Sequence, residues 1–190
     1  MARVQYYAAA SLDGYIAEED GGLQWLFDAA DNPLEGGDDN YNAFYAQVTA
    51  LAIGASTYEI MARHEWAYAG VPAWVFTHRE LETPAGADVR SVQGAVGDHS
   101  ADMRAAAGDG VLWVVGGGEL ASQFAEAGEL DDVIVSYMPV VLGTGIGLFA
   151  RPIPGQLKIV SVTIAPANSA PNCSPSTVTI GIIAFRNACL

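Results

Sequence analysis

Apolar runs and breaker residues alternate along this chain, and the alternation predicts its elements. Residues 3–10, Arg-Val-Gln-Tyr-Tyr-Ala-Ala-Ala, read as a first strand, and Ser11-Leu-Asp-Gly14 as a turn, because Asp-Gly breaks regular structure. Tyr15-Ile-Ala continues briefly before a polar loop at 18–22. Leu23 to Phe27 predicts a short buried segment, and the acidic, Gly-, Asn- and Pro-containing residues 28–40 a surface loop. A helix then starts at Asp39 or Asn40, either of which can cap it, with Tyr41, Phe44, Tyr45 and Val48 on an i, i+3, i+4, i+7 stripe. Ala50 to Ile53 reads as a second strand ended by Gly54, Ser56 to Ala62 as a helix, and Ala73 to Thr77 as a third strand. Asp88 to Val92 is a weak fourth, His99 to Ala107 a helix, and Val111 to Val115 a strand followed by a helix to about Ala127.

Asp132 to Leu142 reads as a long strand interrupted by Pro139, which marks a bulge or excludes a central position. Gly143 to Gly147 is a loop. Leu157–Ala165 and Ser176–Phe185 predict two antiparallel strands around a Pro/Ser/Asn-rich connection. Strand and helix alternate first and strands dominate the end, which predicts a single α/β domain over 1–190. Its sheet is mostly parallel, flanked by helices and closed by a C-terminal antiparallel hairpin.

The junction of strand and helix at 112–127 carries the most chemistry. Leu-Trp-Val-Val runs directly into Gly116-Gly117-Gly118, and Glu119 and Leu120 open the helix. Glycines let a backbone approach a ligand closely or take positive φ, and a helix start offers free N–H groups and a positive dipole end. Gly116-x-Gly118-x-x-Ala121 loosely matches the Rossmann fingerprint. That site wants an acidic residue about 20 positions on for the ribose, where this chain reads Met138-Pro-Val-Val141, and it belongs in a first βαβ unit. A plain structural turn is the competing reading.

Charge narrows the partners. The net charge of −14 with only 8 Lys and Arg excludes nucleic acid and disfavours an anionic membrane surface. All 22 acidic residues lie in 1–132. A buried hairpin, a homodimer interface or an altered C-terminal reading frame would each produce that bias. Cys173 and Cys189 make neither a disulfide framework nor a zinc site. His64, His78 and His99 lack ligand spacing, so no metal site is expected. The first residues carry no apolar signal core and no run approaches a membrane span, so a cytoplasmic protein is expected.

With these pieces in order, the chain resembles the dihydrofolate reductase fold, and within it the reductase domain of bacterial riboflavin biosynthesis, the RibD C-terminal-like family. The resemblance is carried by Ser11-Leu-Asp-Gly-Tyr-Ile-Ala17, Gly54-Ala-Ser-Thr-Tyr-Glu59, Val75-Phe-Thr-His-Arg79 and Val114-Val-Gly-Gly-Gly-Glu-Leu120. Asp131-Asp-Val-Ile-Val and Pro139-Val-Val-Leu-Gly-Thr-Gly support it, so that roughly 3–150 is covered, and it weakens over the tail.

The resemblance implies NADPH as hydride donor, lying across the carboxyl ends of the strands. It implies that Ala9 and Ile16 border the nicotinamide, that Gly54, Ser56 and Thr57 meet phosphate at a helix start, and that Thr77, His78 and Arg79 flank the adenosine phosphate. Gly116, Gly117, Gly118, Glu119 and Leu120 would hold the pyrophosphate. Dihydrofolate reductases carry Arg where this chain has Ala55, so Arg79 is the nearest guanidinium for a 2′-phosphate; it reads equally as a solvated loop cation.

Two carboxylates are candidates for catalysis. Asp31 follows the matching Trp25 at about the distance of the folate enzymes' buried acid, and also reads as a turn residue before Asn32-Pro33. Asp13 can contact a polar substrate group or simply form the turn before Gly14. Trp25, Tyr41, Phe44, Tyr45 and Tyr58 are candidates for the substrate wall, although an aromatic helical stripe is more often core.

The resulting expectation is an NADPH-dependent reductase acting on a C=N or C=O of a small heterocyclic or ribosyl-linked substrate, as in the riboflavin pathway. The alternative is a non-catalytic nucleotide-binding or protein-interaction member of the same fold.

Overall fold

The computed structural model of the chain describes residues 1–30, 37–63, 65–164 and 181–187. Strands β1 (Arg3–Ser11) and β2 (Tyr15–Ala17) lead into helices α1 (Gln24–Ala30) and α2 (Gly37–Tyr45). Then follow β3 (Val48–Gly54), α3 (Ala55–Ala62), β4 (Ala73–Phe76), β5 (Val89–Val92), α4 (Val96–Ala107), β6 (Val111–Gly116) and α5 (Gly118–Glu126). The chain continues through β7 (Asp132–Met138), β8 (Ile146–Gly147), β9 (Leu157–Ile164) and β10 (Gly181–Asn187).

Eight of the strands form one sheet in the order β5-β4-β3-β6-β1-β7-β10-β9. The first six positions pair in parallel, and β10 runs antiparallel to both β7 and β9. Strands β2 and β8 form a separate small antiparallel pair. The expected α/β architecture, mostly parallel with a closing antiparallel hairpin, is what the chain adopts.

Parallel strands covered on both faces read as continuous apolar runs, which is why β3 and β6 were legible. Register stacks them: Val114 of β6 lies between Tyr6 of β1 and Ala52 of β3. One face buries Val4, Tyr6, Ala52 and Val114 against Met103 of α4 and Leu120 and Phe124 of α5. The other buries Tyr7, Leu51, Ile53 and Trp113 with Phe44 of α2 and Tyr58 of α3. At the amino end of the sheet, Arg3 pairs with the buried Asp132 and so ties β1 to β7.

Several local expectations are corrected. Leu23 to Phe27 lies mainly in a helix: α1 buries Trp25 and leaves Phe27 exposed, and Gln24 donates to the Asp28 carboxylate one turn on at 2.7 Å. The loop expected over 28–40 is bounded by helices, since α1 reaches Ala30 and α2 begins at Gly37. Helix α4 starts at Val96, before His99, and its Asp98 carboxylate accepts the Ala95 N–H. The long strand from Asp132 stops at Met138, because Pro139 has no N–H for the ladder. Ile146 and Gly147, expected in a loop, pair with β2. The tail strands pair antiparallel as expected; the start at Ser176 and the end at Ala165 lie outside the described residues. Among the described residues no helix is long and apolar enough to cross a membrane.

Candidate cofactor and substrate site

Parallel pairing brings the carboxyl ends of β3 and β6 side by side, and glycines let them touch. A Cβ on Gly54 would lie 3.2 Å from the Gly116 carbonyl oxygen. Gly116 itself holds φ +129°, a conformation suited only to glycine. A Cβ on Gly118 would collide with the Gly147 carbonyl and sit 3.0 Å from that of Leu148. Helices α3 and α5 therefore begin next to each other, at Gly54 and Gly117, and among the described residues no side chain caps either start. Uncapped N–H groups and two dipole ends face one place, which is what an anionic diphosphate requires.

Ile16 and Thr57 complete this corner. The Ile16 Cδ1 and Thr57 Oγ1 atoms each lie 3.8 Å from where a Gly117 Cβ would be. Ala9 pairs with Ser136 on the opposite side of β1, three residues beyond the Tyr6–Val114 pair and so level with the glycines. Ser56 is exposed in the first turn of α3. Ala9, Ile16, Gly54, Ser56, Thr57, Gly116, Gly117 and Gly118 thus gather at one end of the sheet.

The remaining expected cofactor residues divide. Leu120 sits in the α5 first turn, but its side chain is core. Glu119 is drawn aside by Arg151 at 2.6 Å, and that contact holds its carboxyl below the usual range. Thr77 is buried, and its hydroxyl accepts the Arg79 N–H at 2.9 Å, turning the chain after β4. His78 and Arg79 are exposed, and the Arg79 guanidinium meets Glu59 of α3 at 2.8 Å.

On the α2 face lies an aromatic cluster. Phe44 packs edge-on against Tyr7 (4.7 Å) and Trp113 (5.4 Å), while Tyr41 stacks on Tyr45 at 5.9 Å. Tyr41 reaches the surface and Phe44 does not. Tyr58 is 1% exposed and donates its hydroxyl to the Glu82 carbonyl, so the structure gives it a packing place with no face for a substrate. Trp25 is 6% exposed, and its indole N–H has no partner among the described residues. Burial pushes the phenols of Tyr7, Tyr45 and Tyr68 up.

Asp13 is fully engaged in holding loops together. Its carboxylate accepts the Ser11 hydroxyl (2.7 Å) and the backbone N–H groups of Gly143 (2.7 Å) and Leu142 (3.1 Å). These bonds hold it below the usual aspartate range, with the Ser11 hydroxyl the largest cause. Asp31 lies outside the described residues. No cluster of three or more metal-ligating side chains occurs among the described residues.

Sequence reasoning missed Ser11, Ser122 and Arg151. Ser122 is buried, donates to the Gly118 carbonyl at 2.8 Å and accepts the Ala150 N–H at 3.0 Å, fastening the 147–150 segment to the α5 start. A serine one turn after Gly118 in an apolar helix was the available signal.

A sheet of this order with paired helix starts at its carboxyl ends defines an α/β protein of the dihydrofolate reductase-like fold. The dihydrofolate reductase of Enterococcus faecalis, complexed with NADP(H) and RAB-propyl, superimposes with a TM-score of 0.62 over 97% of this chain and 96% of that one, at 15% identity. A Thermotoga maritima diaminohydroxyphosphoribosylaminopyrimidine deaminase/5-amino-6-(5-phosphoribosylamino)uracil reductase gives 0.62 over 98% of this chain and 57% of its own, at 16% identity. A Shewanella sp. PV-4 protein provisionally assigned to riboflavin biosynthesis matches with a TM-score of 0.72 over 99% of both chains, at 25% identity. The family model of the RibD C-terminal domain matches residues 69–167, just over half the chain. The uncharacterised YwjB of Bacillus subtilis is 34% identical over 146 residues, 75% of this chain and 80% of that protein. The chain belongs to the RibD C-terminal domain family.

Proposed function

We propose that this protein is an NADPH-dependent reductase that reduces a C=N or C=O of a small heterocyclic or ribosyl-linked substrate, in riboflavin-type chemistry. The observation that carries the reading is the double helix start at Gly54 and Gly117, left uncapped and cleared of side chains by glycine. Its residues fit a dinucleotide. The N–H groups of Ala55 to Thr57 and of Gly118 to Leu120 supply donors for the diphosphate, and Ile16 and Ala9 supply the apolar border a nicotinamide ring needs. When bound, that cofactor supplies a hydride.

The chain's part is to bind, orient and deliver a proton, so that hydride plus proton convert C=N to CH–NH or C=O to CH–OH. Asp13, committed to three hydrogen bonds, holds the loops. That leaves Asp31 for proton delivery in this reading. The Tyr41 and Tyr45 stack serves as the wall for a flat substrate in this reading.

Preference for the 2′-phosphate falls to Arg79. Its pair with Glu59 is half-exposed on both sides. Such pairs contribute about 0–1 kcal/mol, so the guanidinium can exchange Glu59 for a phosphate dianion. The compartment in this reading is the cytoplasm. The assembly is a homodimer, supported by edge strand β9, which leaves Ile159, Val160 and Val162 about half-exposed, at 56%, 48% and 53%. A monomeric mass by light scattering at micromolar concentration overturns the dimer.

A thermal-shift titration with NADPH and NADH tests the cofactor reading, since a ligand of the folded state raises its stability by mass action. We expect a larger shift with NADPH. No shift with either nucleotide overturns the reading. Binding without NADPH oxidation across carbonyl and imine substrates instead favours a nucleotide-binding protein without turnover.

A further inference from the structure

Two segments distant in sequence, 11–17 and 140–148, are joined into one flap beside the glycine corner. Strand β2 pairs with β8, the Leu12 N–H donates to the Val140 carbonyl at 2.7 Å, and the Leu148 N–H donates to the Gly14 carbonyl at 3.0 Å. Each segment reaches the corner. Ile16 Cδ1 lies 3.8 Å from where a Gly117 Cβ would be, and the Gly147 and Leu148 carbonyls fill the space a Gly118 Cβ would take. Among the described residues one charged side chain stitches the two together. Asp13 takes the N–H groups of Leu142 and Gly143 from one segment and the Ser11 hydroxyl from the other, and Ser11 Oγ in turn accepts the Tyr15 N–H at 2.9 Å.

We propose that the Asp13 carboxylate is a positioning residue for the dinucleotide: it latches segment 140–148 to segment 11–17 and so fixes Ile16 over the Gly117 corner. This rests on the cofactor reading above. A carboxylate suits the latch because every partner is a donor, and it is an acceptor on both oxygens. An asparagine of equal size keeps one acceptor oxygen and turns an N–H₂ toward a backbone N–H. Replacement by Asn therefore sets donor against donor at Leu142 or Gly143 while leaving the turn's size unchanged. The latch acts through loop placement, because Asp13 itself touches neither Gly117 nor α5 in any hydrogen bond or ion pair of the structure.

The test compares the wild-type chain with Asp13→Asn, Ser11→Ala and Thr49→Val. Thr49 donates to the Ala107 carbonyl at the opposite end of the sheet, and serves as a control for general loss of a hydrogen bond. Hydrogen–deuterium exchange and NADPH affinity are measured for each. In Asp13→Asn we expect exchange at least about tenfold faster in 11–17 and 140–148, unchanged exchange in β6, and a Kd about tenfold higher, roughly 1.4 kcal/mol. Ser11→Ala, which keeps both backbone contacts, should fall between. Thr49→Val should leave the Kd and the flap exchange unchanged.

Unchanged flap exchange in a folded Asp13→Asn overturns the latch. Faster flap exchange with an unchanged Kd overturns its role in placing the nucleotide. A Kd raised equally by Thr49→Val overturns it as well, because the effect is then general instability. A wild type that binds neither NADPH nor NADH removes the cofactor reading and with it the nucleotide role, while exchange still decides whether the latch exists.

Discussion

The glycine corner and the aromatic face lie on the same sheet and are built in opposite ways. At the corner, β3 and β6 end in backbone: Gly54, Gly116, Gly117 and Gly118 carry no side chains of their own, and their contribution is the space and the N–H groups they leave. On the α2 face everything is side chain, with Tyr7, Phe44, Tyr45, Tyr68 and Trp113 meeting edge to face. A backbone site recognises what is common to ligands of one class, in the proposed function a diphosphate. A side-chain surface changes with each substitution and so carries what is particular to a substrate.

That contrast can be broken from either side. The largest effect belongs to the aromatic face. Trp113 is 6% exposed and donates its indole N–H to the Tyr7 carbonyl at 3.1 Å, so Trp113→Ala should cost about 3–5 kcal/mol of stability, read by denaturant unfolding. Next comes the corner. Gly117 has φ −77° and ψ −167°, and an added Cβ makes only ordinary contacts at 3.8 Å. Gly117→Asp should therefore fold, yet lose NADPH affinity by the order of 100-fold, about 2.8 kcal/mol, because a carboxylate would meet the pyrophosphate. Unchanged affinity would count against the site's placement. By contrast Gly118→Val should lose stability before binding can be measured, since the added Cβ collides with the Gly147 backbone.

Smaller effects sharpen the picture. Arg79→Ala should lower NADPH affinity roughly five- to tenfold, about 1–1.4 kcal/mol, and leave NADH untouched; equal losses for both would show that Arg79 does not read the 2′-phosphate. The smallest concerns acid. The Asp13 carboxyl lies below its ordinary value of 3.8 in the fold. Its stabilising contribution is fully present above that ordinary value and disappears as pH falls through the lower folded-state value. Wild type should lose a small increment of thermal stability there that Asp13→Asn does not lose.

The fold was largely legible, because a sheet buried on both faces writes long apolar runs and each run ends at a breaker. Gly54 after Ala-Leu-Ala-Ile and Gly116 after Leu-Trp-Val-Val are local facts. The errors have local causes too. Leu23 to Phe27 is too short for its period to show a helix, Ile146–Gly147 is too short to show a strand before its partner is known, and Pro139 left the end of β7 open. The site was legible only in part. The corner residues could be named from glycine and helix-start chemistry, together with the family resemblance. The aromatic residues could not be sorted, since helical spacing places Phe44 and Tyr41 on one stripe but does not say which is covered.

By itself the sequence determined which segments become strands and helices, where the backbone is free of side chains, and that the acids avoid residues 133–190. These depend on neighbours a few residues apart. Only the tertiary structure decided the strand order, the meeting of Gly54 with Gly116, the pairing of Arg79 with Glu59, and the use of Asp13 on amides 129 and 130 residues away. The physical reason is that a carboxylate is recruited by whichever donors the folded chain brings within reach. Nothing in Ser-Leu-Asp-Gly records that Leu142 and Gly143 will be those donors.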